Sequence, residues 1–146
     1  MTEIGFYHLT RTGPERALPQ LLSRTLAAGQ RAVVRCAGDE RMAALDAALW
    51  DSADFLPHGT ARDGDAAWQP IWLTMTDEVP NASRFLFLVD GAEGGDLARF
   101  DRVFDLFDGN DEAAVAAARE RWKAWKDSGH ALTYWQQAAR GWEKKG

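Results

Sequence analysis

An unbroken apolar run within Arg84-Phe85-Leu86-Phe87-Leu88-Val89-Asp90 predicts a β-strand that is buried on both faces. Such strands lie in the middle of parallel sheets, where helices cover both sides. Working outward, Ile4–Leu9 and Arg31–Cys36 are further strand candidates, and a helical pattern over Glu15–Ala28 lies between them. This alternation of strand, helix and strand predicts a βαβ unit and hence a parallel sheet.

Local signals place the ends of the helices in the first third of the chain. Pro19 is tolerated near a helix start, so the regular part of the helix over Glu15–Ala28 is predicted to begin there. Gly29 is predicted to close that helix as its C′ residue. The next helix is predicted from about Glu40 to Trp50, with Asp39 as its N-cap.

The remaining segments extend the same pattern. Asp51–Gln69 is rich in Asp, Gly and Ala and predicts an irregular surface loop. Pro70–Thr74 predicts a strand, and Arg102–Phe107 predicts the last strand of the sheet. Asp108-Gly109-Asn110-Asp111 then turns the chain and caps a long helix over Glu112–Asp127.

Length and pattern together predict one α/β domain over residues 1–146, with a Rossmann-like, mostly parallel sheet and helices on both faces. Residues from about 129 to 146 are predicted to be a C-terminal tail that packs only partly. Apolar runs are too short to span a membrane, and Met1–Ile4 has no basic start of a signal peptide. The single cysteine, Cys36, is predicted to be a small buried hydrophobe in a reduced compartment, the cytoplasm.

Charge is distributed unevenly along the chain. Residues 1–118 hold 10 Lys/Arg and 19 Asp/Glu, a balance of −9, whereas residues 119–146 hold 7 and 3, a balance of +4. An acidic body opposes general nucleic-acid binding, and a basic end favours a specific anionic partner. Basic residues at the end of a helix also offset its macrodipole, and this explains Lys126 better than Arg119.

The predicted last helix contains the most informative surface pattern. Arg119, Lys123 and Lys126 recur at helical spacing and form one basic stripe, with Trp122 beside it. Trp125 lies further round and is predicted to pack into the core. A row of cations next to an indole suits a ligand that is both acidic and apolar, so this pattern indicates binding, not catalysis.

Catalytic and metal-binding patterns are not recognisable in the sequence. The predicted crevice loop His8–Pro14 has one glycine, where a dinucleotide fold needs three, and Gly91–Gly95 contains Glu93, which would repel phosphate. The histidines lie in separate segments without ligand spacing. We therefore expect no catalytic residue, no metal and no cofactor.

Several short segments follow one another in a familiar order along nearly the whole chain: Phe6-Tyr7, Leu45–Trp50, Phe55–His58, Ala118–Trp125, Leu132–Trp135 and Gly141–Glu143. Together they resemble the chi subunit of the bacterial DNA polymerase III holoenzyme. The resemblance implies a Rossmann-like domain that binds no nucleotide and has no catalytic residues of its own. It also implies an adaptor between two proteins, which reaches DNA only indirectly.

The first implied partner is the acidic C-terminal tail of single-stranded-DNA-binding protein, which ends in a phenylalanine carboxylate preceded by aspartates. The resemblance implies that Arg119 and Lys123 pair with these carboxylates. Trp122 would form one wall of the pocket for the phenyl ring, with Val115 lining it, and Lys126 would add long-range attraction. Relatives often have tyrosine where Trp122 stands, so this chain keeps the aromatic wall without the hydroxyl.

The second implied partner is the small psi subunit, which connects chi to the clamp loader. The resemblance implies that Trp50, Phe55 and Pro57 form the surface for it, and the same surface could receive an accessory helicase. An aromatic residue in a polar loop needs a partner to leave water, which supports this interpretation. In the opposing interpretation, Phe55 folds back as a lid over the domain's own core.

Two alternatives from other functional classes remain open at this stage. One is an enzyme or sensor that binds a small nucleotide in the Rossmann-like crevice, although the glycine fingerprint is missing. The other is direct DNA binding through the basic helix and the aromatic tail, although the net charge of −5 disfavours it.

Overall fold

A computed structural model describes residues 2–146 of the chain. It contains three α-helices, eight β-strands and two short 3₁₀ turns. The elements in chain order are β1 (Glu3–Leu9), α1 (Pro14–Ala27), β2 (Ala32–Arg35), α2 (Asp39–Trp50), β3 (His58–Gly59), a 3₁₀ turn (Ala66–Trp68), β4 (Ile71–Thr74), β5 (Phe85–Val89), a 3₁₀ turn (Leu97–Arg99), β6 (Arg102–Asp108), α3 (Glu112–Asp127), β7 (Ala131–Gln137) and β8 (Trp142–Lys144).

The strands form one eight-stranded sheet in the order β3-β4-β2-β5-β6-β1-β7-β8. All neighbouring pairs are parallel except β7 and β8, which form an antiparallel hairpin at one edge. Helices α1 and α2 share a core with one face of the sheet, and α3 shares a core with the other. The predicted α/β class, the mostly parallel sheet and the helices on both faces are confirmed.

Strand β5 has the central position that its apolar run predicts. Leu86 and Leu88 belong to the core on the α3 side of the sheet, whereas Phe87 and Val89 belong to the core on the α1–α2 side. All four are fully buried. A strand with no polar face requires cover on both sides, and this requirement gives the domain its three layers.

Helix α1 differs from its prediction at its start. It begins at Pro14, not at Pro19, and Pro19 lies inside the helix. Pro14 has the fixed φ that suits a first helical turn, and burial of Leu18 keeps that turn in place despite the hydrogen bond that Pro19 cannot make. The predicted end is confirmed: Gly29 has φ of 78°, and its N–H and that of Gln30 donate to carbonyls of the last turn.

The N-cap of α2 also differs from its prediction. Asp39 is the first helical residue, and Gly38 is the N-cap, with no side-chain hydrogen bond to the helix. The carbonyl of Gly38 instead accepts the backbone N–H of Met42. Asp39 still favours the helix, because a carboxylate in the first turn interacts well with the positive end of the dipole.

Strand β6 is not the last strand, contrary to the prediction. The segment treated as a partly packed tail continues the sheet, because β7 pairs with β1 and β8 pairs with β7. Every residue of β7 is half-buried, with Tyr134 and Trp135 packed against the cores of opposite faces. The predicted loop over Asp51–Gln69 likewise contains strand β3 and one 3₁₀ turn.

Candidate binding surfaces

Helix α3 begins as its sequence predicts. The Asp111 carboxylate accepts hydrogen bonds from the backbone N–H groups of Ala113 and Ala114, at 3.0 and 3.4 Å. These bonds satisfy two donors that a helix start otherwise leaves without partners. The helix then packs on the sheet through Ala118, whose small side chain is buried.

A buried ion pair fixes α3 to strand β6. The Arg121 Nε and Nη2 atoms donate to the two carboxylate oxygens of Asp105, at 2.7 and 3.0 Å. Burial raises the pKa of the Asp105 carboxyl, and the adjacent Arg121 guanidinium opposes that shift. This pair could not be predicted from the sequence, because Asp105 lies between apolar, buried strand residues and carries no signal of its partner.

The basic stripe of α3 is free of internal ion pairs. Arg119, Lys123 and Lys126 are all exposed, and none of them lies within 4.0 Å of a carboxylate in residues 2–146. Their charges are therefore available to an external ligand, unlike that of Arg121 on the same helix.

Trp122 connects this stripe to the sheet. Its ring is half-buried and meets Phe6 at 5.3 Å and Tyr134 at 6.0 Å between ring centroids, edge to face in both cases. Trp125 packs against Phe6 at 5.5 Å, which agrees with its predicted place in the core. Both indoles are half-buried and pack against the core on the α3 side of the sheet.

A cavity of about 570 Å³ lies between the first turns of α3, the end of β1 and the turn that follows β6. Val115 and Arg119 both line it, so the structure brings these two predicted site residues together. Trp122, Lys123 and Lys126 lie further along the helix and are not part of its lining. The lining residues are His8, Gly109, Asn110, Glu112, Val115, Ala116 and Arg119.

One lining residue, His8, contacts Tyr134, which lies outside the lining, and neither residue was predicted for this site. The Tyr134 hydroxyl is 2.6 Å from Nδ1 of His8, and the His8 ring packs on Phe107 at 5.1 Å. Burial raises the pKa of the Tyr134 hydroxyl, and the nearby Arg119 charge partly opposes this. His8 and Tyr134 are far apart in the chain, so only the pairing of β1 with β7 could reveal them.

A second candidate surface, called the Trp50 surface, lies where α2 ends and consists of Trp50, Phe55 and Pro57. The side chains of Trp50 and Phe55 are 64% and 84% exposed. Both residues line one shallow depression. Pro57 follows in the chain and is half-buried. The interpretation in which Phe55 covers the domain's own core is wrong, because most of its ring faces solvent. Leu56 is the residue of this loop that enters the core.

His58 supports this surface from below. It is buried, its Nδ1 is 2.7 Å from the Leu56 carbonyl oxygen, and its Nε2 is 2.9 Å from the Asp46 carboxylate. The Trp50 ring packs on the imidazole at 4.6 Å between centroids. Trp50 is therefore held in place while remaining mostly exposed.

A family model described as DNA polymerase III chi subunit, HolC, matches residues 1–133. The chain belongs to the chi subunit family. Chi subunits are non-catalytic accessory subunits of DNA polymerase III that act in DNA replication, in the cytoplasm as the sequence analysis expected. The match includes α3 and the Trp50 surface and ends within β7, so β8 lies outside it. No curated protein in the comparison matches the chain.

The Rossmann-like crevice of this chi-family chain is lined by both cations and carboxylates. It has a volume of about 590 Å³ and lies at the carboxyl ends of β1, β5 and β6. Arg41 in its lining is already bonded to Glu15, at 2.7 Å, and to Asp90, and Arg121 is bonded to Asp105. Arg41 and Arg121 therefore offer a phosphate little, whereas the exposed Arg11 in the same lining has no carboxylate within 4.0 Å in residues 2–146.

Other sources of reactivity in the chi-family chain are equally sparse. Burial raises the pKa of the Cys36 thiol to about 12, so the reactive thiolate is rare near neutral pH. Within residues 2–146, no group of three or more His, Cys, Asp or Glu side chains could hold a metal ion. In the same part of the chain, no helix is long and apolar enough to cross a membrane.

Proposed function

We propose that this chain is an adaptor that binds the acidic C-terminal tail of single-stranded-DNA-binding protein at α3 and the psi subunit at the Trp50 surface. Membership of the chi family supports an accessory role in the polymerase. The observation that carries the tail site is Arg119, which has no carboxylate within 4.0 Å in residues 2–146 and lines a cavity together with the apolar Val115.

The tail site combines the two properties that the ligand needs. Arg119 takes the terminal carboxylate, preferably with two parallel hydrogen bonds, because its guanidinium presents a planar fork. Val115 and Trp122 provide apolar contact for the phenyl ring. Lys123 pairs with the preceding aspartates, and Lys126 adds attraction at longer range.

The psi site is supported by exposure and anchoring. Large aromatic side chains that are preorganised and solvent-exposed are typical of binding hot spots. Trp50 is held by His58, and Phe55 and Pro57 extend the apolar area beside it. An accessory helicase could use the same surface in place of psi, in which case the two partners would compete.

The nucleotide alternative has little support. Two of the three cations that line the crevice, Arg41 and Arg121, have carboxylate partners, and the loop over His8–Pro14 lacks a phosphate-binding glycine pattern. The proposed function involves neither a metal nor a membrane, and the chain itself supplies no catalytic group.

The test is a fluorescence titration of the protein with an acidic peptide that ends in Asp-Ile-Pro-Phe, at two salt concentrations. The same peptide without its final Phe is the control. We expect saturable binding that is lost with that one residue and weakens with salt. Equal binding of both peptides would contradict the pocket, and no binding by folded protein would contradict the tail site and return the nucleotide crevice to consideration.

A further inference from the structure

The C-terminal hairpin has a second face, which points away from α3. Strand alternation places Thr133 and Trp135 of β7 on this face, opposite Tyr134. Trp142 is paired with Gln137 and Lys144 with Trp135, so both β8 side chains share the face of Trp135. We propose that this hairpin face, formed by Trp135, Trp142 and Lys144, binds single-stranded nucleic acid by base stacking and phosphate pairing.

A row of nearly parallel rings leads to this face from the core. Phe87 stacks on Phe104 at 4.2 Å and 3°, Phe104 on Tyr7 at 5.7 Å and 29°, and Tyr7 on Trp135 at 6.4 Å and 11°. The inner three rings, those of Phe87, Phe104 and Tyr7, are all buried. Trp135 ends the row and is only half-buried. A nucleobase would stack on the solvent-exposed part of this ring, beside Lys144, because every base offers a flat π-face.

The rings at the end of the row are held in fixed orientations. The Trp135 Nε1–H donates to the Thr133 hydroxyl at 3.0 Å, and Trp142 meets Tyr7 edge to face at 5.0 Å between centroids. A preorganised aromatic surface loses little conformational entropy when a base stacks on it. Trp135 and Trp142 pack against the edge of the core that α1 and α2 share with the sheet, and both remain half-buried, so part of each ring faces solvent.

Cations surround the aromatic row where a phosphate backbone would run. Arg24 and Arg102 are both close enough to Tyr7 to oppose the rise that burial causes in the pKa of its hydroxyl. Lys144 stands directly opposite Trp135. Within residues 2–146, Arg24 and Lys144 have no carboxylate within 4.0 Å, and Arg102 has Glu3 at 3.9 Å.

These cations favour a nucleic acid over an acidic peptide because two half-buried indoles, Trp135 and Trp142, lie on the same face as Lys144. A single strand repeats one phosphate and one base per nucleotide, so it can satisfy both kinds of group together. An acidic peptide would satisfy the cations and leave the stacking rings unused. The acidic body of the protein restricts such binding to a short site, which explains how a chain of net charge −5 could bind a strand locally.

This inference goes beyond the adaptor role, in which DNA is reached only through another protein. Trp135, Trp142 and Lys144 all follow residue 133, so they lie outside the part of the chain that matches the family. The hairpin face and the tail site lie on opposite sides of β7. A strand and a protein tail could therefore bind together.

The experiment titrates the full chain with an eight-nucleotide oligothymidylate and follows tryptophan fluorescence at several salt concentrations. We expect saturable quenching, with log K falling against log salt at a slope of about −2, as three phosphate contacts on a single strand predict. Inorganic polyphosphate and a blunt DNA duplex should bind at least tenfold more weakly. The acidic peptide used for the tail site should not compete.

Neighbouring lysines provide a matched pair of variants. Lys144→Ala should weaken oligothymidylate binding about fivefold at 0.1 M salt, because one phosphate contact is lost. Lys145→Ala makes the same charge change but removes a side chain that pairs with Glu143 at 3.1 Å, and should leave binding nearly unchanged. Trp135→Leu should weaken binding about tenfold through lost stacking.

Several outcomes would overturn the proposal. Absence of binding by the folded protein would do so directly. Equal binding of polyphosphate, or equal losses with Lys144→Ala and Lys145→Ala, would show attraction by charge alone. Competition by the acidic peptide would assign the face to an acidic protein segment. Because Lys144 is an exposed residue near the chain end, its variant tests the proposal even if Trp135→Leu fails to fold.

Discussion

At the scale of single residues, Asp105 of β6 and Arg121 of α3 determine how firmly helix α3 is attached to the sheet. Removing one member of a buried ion pair leaves the other charge without a partner, and this costs more than losing the pair as a whole. We expect Asp105→Ala to lower the free energy of unfolding by about 3–5 kcal/mol, as measured by urea denaturation. The double variant Asp105→Leu with Arg121→Met should lose much less, since no charge remains buried. Equal losses in the two variants would mean that packing, and not the ion pair, secures the helix.

At the scale of elements, the connection from α2 to β3 presents an exposed aromatic surface on a buried support. We expect His58→Ala to lower the free energy of unfolding by about 1–3 kcal/mol, because Asp46 and the Leu56 carbonyl lose a hydrogen-bond partner. The emission of Trp50 should also change, because its ring loses the imidazole beneath it. Phe55→Ala is the matched control: Phe55 is 84% exposed, so its loss should change stability by less than about 0.5 kcal/mol. Comparable destabilisation by both variants would contradict a supporting role for His58.

The elements also show what sequence patterns can predict. The apolar run of β5 and the capped, periodic α3 were predicted well, because their burial and helix signals are local. The strands β7 and β8 were missed, because half-buried residues such as Trp135 and Trp142 gain their partners through pairing with β1 and with each other. The candidate sites likewise combine a local pattern, which the sequence reveals, with contacts between distant segments, which it does not. The stripe of Arg119 and its neighbours is visible in the helix period, whereas the contact of His8 with Tyr134 joins residues that are 126 positions apart.

At the scale of the whole molecule, the two proposed protein-binding surfaces are separated by most of the sheet. The Trp50 surface adjoins β3 at one edge, and α3 contacts β6 and β7 towards the other, on the opposite face. Six strand spacings separate β3 from β7 in the sheet order, which is roughly 29 Å at about 4.8 Å each. Sites this far apart, with no shared residues, should contribute independently to binding.

Independence of the two surfaces gives a sharp test of the adaptor role. We expect Arg119→Ala to weaken binding of the acidic tail peptide by about 1.5–3 kcal/mol, through loss of a charge-assisted contact, and to leave psi binding unchanged. Phe55→Ala should do the reverse. Calorimetric titrations of each variant with each partner, and of the wild-type chain with one partner already bound, measure all the required affinities. If either variant weakened both partners equally, damage to the fold would be the explanation. A wild-type affinity for one partner that changes when the other is bound would instead show that the sheet couples the two surfaces.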